Sequence, residues 1–180
     1  MMAIGDNDLK LLLKALDFAA DKHRKQRRKN VASSPYINHP ISVANILCNE
    51  GRITDIEVIC AALLHDTVED TETTAAELRE AFGEPITGIV MDVTDDKSLG
   101  KEARKEQQVE HAAHIREQAK LVKLADKISN LRDVADDPPP GWSIERRREY
   151  FDWGKRVIDR LRGVHPDLEA LFDRVYAERP

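Results

Sequence analysis

The chain has 180 residues, with 28 Lys and Arg against 33 Asp and Glu, a net charge of −5, 41% hydrophobic residues and 5% aromatic. That length suits one globular core burying about 70% of the unfolded chain's surface, so a single domain over residues 1–180 is expected. The longest apolar run, Val58 to Leu64, falls far short of the roughly 20 residues a membrane span needs, and Met1 to Asp8 lacks the features of a secretion signal. A cytoplasmic protein with no membrane partner is expected. The mildly acidic total argues against a nucleic-acid partner while leaving room for a local basic site. Cys48 and Cys60 are too few for a disulfide framework and read as buried free thiols.

Apolar residues recur every three or four positions, the 8 Gly are widely scattered, and the expected fold class is an all-α helical bundle. A first helix is expected over Asn7 to Arg28, with Leu9, Leu12, Leu13, Leu16 and Ala20 as its apolar stripe and a basic last turn suited to the helix dipole. A polar loop, Asn30 to Tyr36, follows. Pro40 is expected to open the second helix and to hold His39 extended before it; the helix runs to about Glu50 and stops at Gly51. Thr54-Asp55-Ile56-Glu57 fits a capping box for a third helix reaching about Val68, and Thr74-Ala75-Ala76-Glu77 repeats the box. The helix from Thr74 should end at Gly83, with another opening at Pro85 and carrying Ile86, Ile89, Val90 and Val93. Lys101 to Glu110 is almost wholly charged or amide and reads as a solvated helix or a mobile segment. Packing resumes at Ala119 with the stripe Leu121, Leu124, Ala125, Ile128 and Leu131, ended by Pro138-Pro139-Pro140-Gly141. Ser143 caps a long helix closed by Gly163, and Pro166 starts the last one.

The most informative segment is Leu64-His65-Asp66-Thr67-Val68-Glu69-Asp70. An apolar helix ending in an imidazole and three carboxylates needs a positive partner, because burying unpaired carboxylates is costly. A divalent cation answers that need; a solvated helix end with ordinary surface acids is the plainer reading. Asp126 stands alone in the most apolar part of a later helix, and His39 stands at a helix entrance. Asp126 has the alternative of pairing with Lys123 or Lys127, and His39 that of satisfying a core carbonyl. Together with His65 and Asp66 they make a two-His, two-Asp donor set suited to one Mn²⁺, or less specifically to Zn²⁺, Fe²⁺ or Co²⁺, and the lack of thiolates argues against a structural zinc.

His39, His65-Asp66 and Asp126, in that order on successive helices, resemble the ligand pattern of HD-domain phosphohydrolases. More narrowly the chain resembles the hydrolase domain of RelA/SpoT proteins, in the stand-alone form called small alarmone hydrolases. The words that carry this are Arg27-Arg28-Lys29, Pro35-Tyr36-Ile37-Asn38-His39-Pro40, His65 to Asp70, Val93 to Lys97, Lys120 to Lys127 and Asn130-Leu131-Arg132, and the match spans about residues 11–161. The resemblance implies hydrolysis of the 3′-pyrophosphate of guanosine tetra- and pentaphosphate, a small-molecule nucleotide. His39, His65, Asp66 and Asp126 would then hold Mn²⁺. Glu69 and Asp70 would orient or deprotonate the attacking water, or protonate the departing oxygen. It also implies substrate contacts from Arg28 and Lys29, from Asn130, and from Tyr36 and Tyr150, for which core packing is the rival role. Another phosphorylated dinucleotide such as NADPH would need the same metal, water and basic clamp. A sensor that had lost turnover is disfavoured by the presence of all four ligands and both further carboxylates.

Overall fold

The computed structural model describes residues 5–180 and is built from α-helices, with no strand among them beyond the isolated bridge Arg27↔Pro35. The first helix, α1 (Asp6–Lys22), ends well short of the expected Arg28. His23 takes a C-cap conformation there, its N–H on the Ala19 carbonyl, and its buried ring lies 4.9 Å from that of Tyr36. The contacts of this ring outweigh the helix preference of the Lys/Arg run behind it, which is only on the order of a few tenths of a kcal/mol per residue. Residues 24–36 instead fold back on themselves, with Arg28 N–H on the Ser34 carbonyl at 2.9 Å and Tyr36 N–H on Gln26 at 3.1 Å.

Helix α2 (Asn38–Asn45) continues as a π-helical turn, Ile46–Glu50. His39 therefore lies inside the first helical turn, not in the extended conformation expected before Pro40. A proline is tolerated so near a helix start because the first amides have no intrahelical acceptor. The His39 amide donates to Tyr36 at 2.9 Å, and its ring contacts offset the steric bias that Pro40 imposes.

Helix α3 (Ile56–Leu64) is capped by Asp55, which accepts from Glu57 N–H at 2.9 Å, rather than by Thr54 as expected. Val58 to Leu64 are all buried, making α3 the centre of the molecule, packed on α1, α2 and the helices described next. It stops at Leu64 instead of running to Val68. Thr67 Oγ1 donates to the Leu64 carbonyl at 2.6 Å and His65 Nδ1 sits 2.8 Å from that of Ala62, so two side chains take the carbonyls that would continue the helix. The short α4 (Thr67–Asp70) follows after a turn at His65 and Asp66. Helix α5 (Ala75–Val93) is capped by Thr74 as expected and is two helices joined at Gly83, whose φ of 81° only glycine adopts without strain.

Lys101 to Glu110 proves to be helical: α6 (Lys101–His111) has no buried residue and packs on α8. Helix α7 (Glu117–Asp136) runs through the core beside α2, α3 and α5. Ser143 caps α8 (Ile144–Asp159), and α9 (Pro166–Tyr176) lays Leu168, Leu171, Phe172 and Val175 toward α7. Cys48 and Cys60 are free thiols, half-buried and buried. No helix among the described residues is long and apolar enough to cross a membrane.

Candidate metal centre and nucleotide pocket

Four chain segments bring their side chains to one place: the start of α2, the end of α3, the α3–α4 break and the middle of α7. The Nε2 atoms of His39 and His65 and an oxygen of Asp126 lie within 4.8 Å of one another. Asp66 completes the group, its Oδ2 3.0 Å from His65 Nε2 and 3.8 Å from His39 Nε2.

The hydrogen bonds around the group fix what its atoms can do. His65 Nδ1 donates to the Ala62 carbonyl, so in the neutral ring Nε2 carries the lone pair. That Nε2 is buried and has no hydrogen-bond partner, and it faces two carboxylates. A lone pair aimed at acceptors is satisfied only by a proton or a metal ion between them. Burial opposes charge on His65, yet Asp66 and Asp126 hold its pKa well above the usual imidazole value. Burial likewise opposes ionisation of Asp66 and Asp126. The His65 and His39 imidazoles hold Asp66 well below the usual carboxylate range, and Lys127 and the same two rings do so for Asp126. Two imidazole nitrogens and two ionised carboxylates are a donor set that fits a divalent cation.

Neighbours keep the donors in place. His39 Nδ1 lies 3.3 Å from Ser129 Oγ and its Nε2 3.1 Å from Asp126 Oδ1. Asp126 Oδ1 also accepts from Asn130 Nδ2 at 2.6 Å, and Oδ2 from Lys127 Nζ at 2.9 Å. The alternative reading of Asp126, a pairing with a neighbouring lysine, thus coexists with its place among the imidazoles. Tyr36 donates its hydroxyl to Asp66 Oδ2 at 2.6 Å; burial, then the Asp66 carboxylate, pushes this phenol well above its ordinary pKa.

Glu69 and Asp70 differ sharply. Glu69 accepts from the Asp95 N–H at 3.1 Å, and burial, with the Asp95 carboxylate next, pushes its carboxyl up to about 7. Asp70 is held at both oxygens, by Gln26 Nε2 at 2.9 Å and by Lys97.

Beside the group lies a cavity of about 180 Å³ lined by all four donor residues, Glu69, Lys123, Tyr150 and Trp153. It opens toward a larger cavity of about 510 Å³, which shares Tyr36, Asn130 and Tyr150 with it and adds Arg28, Lys29 and Trp142. Arg28 bonds Asp133, reaches Asn130 Oδ1 at 3.2 Å and lies 5.6 Å from the Tyr36 ring centre. Lys29 is exposed at the cavity rim.

Residues 15–152 match the HD domain family. The chain belongs to the HD-domain family. Among its relatives, a protein from Danio rerio named guanosine-3′,5′-bis(diphosphate) 3′-pyrophosphohydrolase MESH1 is 56% identical over 94% of each chain. The Homo sapiens protein of the same name is 54% identical over 93% of this chain and 94% of its own. A solved structure described as a metazoan ortholog of SpoT that hydrolyzes ppGpp superposes with a TM-score of 0.93 and 46% identity, covering 99% of this chain and 98% of that one.

Within this HD-domain frame, every residue singled out from the sequence lines one of the two cavities. Tyr36 does so while bonding Asp66, a contact that neither rival role foresaw. Sequence reasoning missed Gln26 and Lys97, which hold Asp70, and the Asp95 amide that holds Glu69. Lys97 and Asp95 lay in a motif already noted, but Gln26 sat in a run read as helix, where nothing marked it.

Proposed function

We propose that the chain is a metal-dependent guanosine-3′,5′-bis(diphosphate) 3′-pyrophosphohydrolase, converting guanosine tetra- and pentaphosphate to GDP or GTP and pyrophosphate. What supports this most is the buried Nε2 of His65, which makes no hydrogen bond although it lies 3.0 Å from Asp66 and 3.8 Å from Asp126, in a chain so similar to proteins named for that activity. His39, His65, Asp66 and Asp126 are the residues that would hold the ion, and Mn²⁺ suits their mixed nitrogen and oxygen character. When bound, it supplies Lewis acidity that makes water a better nucleophile and offsets phosphoryl charge.

The residues of the chain perform the rest. Water adds its oxygen to the phosphorus joined to the ribose 3′ oxygen. The bond from that phosphorus to the 3′ oxygen breaks with its electron pair on oxygen, which takes up a proton, and pyrophosphate departs whole. Glu69, poised at about 7, moves the proton. Asp70, fixed by Gln26 and Lys97, orients the water. Arg28 offers its guanidinium plane to the guanine, Lys29 and Tyr150 face the phosphates, and Asn130 contacts the nucleoside. Residues 1–180 act as one hydrolase domain, since α9, beyond the matched residues 15–152, shares the core of α7.

The deciding assay is pyrophosphate release from guanosine 3′,5′-bis(diphosphate) by chelator-stripped protein, with Mn²⁺ added back and NADPH run in parallel. Release that requires Mn²⁺ and outpaces phosphate release from NADPH is expected. A protein that cleaves NADPH alone, or the guanosine compound equally well without metal, refutes the proposal.

A further inference from the structure

We propose that Lys123 is a further substrate-contacting residue, whose ammonium takes a non-bridging oxygen of the pyrophosphate group beside the metal centre. The inference rests on the proposed hydrolase reading for the identity of the anion, though not for the existence of an anion site.

Lys123 projects from α7 into the wall of the 180 Å³ cavity, and only 6% of its surface is exposed. Lys127, one turn later, is equally buried but committed: its Nζ lies 2.9 Å from Asp126 Oδ2 and 4.6 Å from the centre of the Trp153 ring. Lys123 has no such commitment. Among the described residues no carboxylate oxygen comes within 4.0 Å of its Nζ, and no hydrogen-bond acceptor engages it. Glu69, Asp95 and Asp126 act on it only at longer range.

An ammonium in this position is costly, because it reaches water only through the cavity it lines and no protein group replaces the hydration it loses. A methionine or leucine would fill the same volume without that cost. The cavity that Lys123 shares with His39, His65, Asp66, Glu69 and Asp126 is where phosphoryl oxygens must lie if those residues are to act on them. An anion seated there satisfies the ammonium and meets a charge-assisted donor in a site shielded from water.

A purely compensating role, in which Lys123 only offsets the surrounding carboxylates, differs in its effect on the anion. Removing a positive charge near the donors would then strengthen cation binding and leave anion binding alone. The test uses K123M and K123A in the full chain, with three readouts. Titration of Mn²⁺ into chelator-stripped protein should give one site in each variant, at least as tight as in the wild type. Titration of inorganic pyrophosphate into the Mn²⁺-saturated protein should show binding weakened by about tenfold or more. Turnover of guanosine 3′,5′-bis(diphosphate) should fall by about a hundredfold in kcat, with part of the loss in K123A restored by added ethylamine.

Pyrophosphate affinity and kcat within twofold of wild type in K123M would overturn the inference. So would loss of Mn²⁺ binding in step with activity, or failure of both variants to fold, since either result would make the ammonium part of the scaffold. Because the pyrophosphate titration involves no nucleoside, weakened binding in a protein that leaves the guanosine compound uncut would count against the proposed function and not against this site.

Discussion

Replacing Glu69 by glutamine should stabilise the metal-free protein at alkaline pH while removing its activity. The carboxyl is raised from 4.5 to about 7, first by burial and then by the Asp95 carboxylate. At about 1.4 kcal/mol per pH unit, the full penalty on the ionised form is about 3 kcal/mol. Water reaches part of the side chain, so about 1–3 kcal/mol is the range to expect. Because the folded value lies above the unfolded one, the folded chain holds the proton more tightly. Stability therefore falls as pH rises from about 4.5 to about 7 and is level above that. Glutamine does not ionise and still accepts the Asp95 N–H, so the gap between variant and wild type should be absent near pH 4, open through that window and stay constant beyond it. Denaturant unfolding of chelator-treated protein at pH 4, 6 and 8.5 measures this, and the thermal midpoint at pH 8.5 should rise by about 2–12 °C for a chain of this size. A variant no more stable than wild type at pH 8.5 would refute the argument that Glu69 is held against its ionisation.

Saturation with Mn²⁺ at a hundred times its dissociation constant should stabilise the wild type by about 2.7 kcal/mol, or about 5–11 °C in thermal midpoint. His65→Ala should abolish both that shift and turnover; a shift retained in full removes His65 from the metal centre. Arg28→Ala should raise KM for the guanosine compound about tenfold or more with kcat little changed, and a fall confined to kcat would rule out a base-stacking role. Trp153→Phe removes the indole N–H that donates to the Lys105 carbonyl at 3.1 Å and ties α6 down. Amide exchange across residues 101–111 should then quicken by about three- to tenfold, at about 1 kcal/mol for the lost bond, and unchanged exchange would show that α6 is held elsewhere.

The helical period, the boundaries at Gly51, Gly83 and Pro166 and the Thr74 and Ser143 caps were legible from local pattern, because each depends on neighbours within one turn, whereas α2 starts ahead of Pro40 and α8 ends at Asp159, short of Gly163. The gathering of His39, His65, Asp66 and Asp126 was legible too, since a His-Asp pair at the end of an apolar helix and a lone Asp in another are chemically out of place unless something joins them. What stayed hidden depended on contacts across the chain. Ending α1 at Lys22 takes a ring contact with Tyr36, and breaking α3 at Leu64 takes two side chains bonding back to its carbonyls. Gln26 meets Asp70 only after the chain reverses, and Lys123 looks like Lys127 until the structure shows that one is paired and the other is not.

Seven consecutive buried residues, Val58 to Leu64, precede the His65-Asp66 pair. Two donors of the centre thus hang from the least yielding part of the molecule, and an interior so closely packed transmits displacement instead of absorbing it. Enlarging Ala61 by a methyl or two, on a residue with no exposed surface, would move the imidazole and carboxylate along with the helix end. A defect in the hydrophobic interior of this protein should therefore surface first as a poor grip on metal, while the chain still folds and still binds its nucleotide.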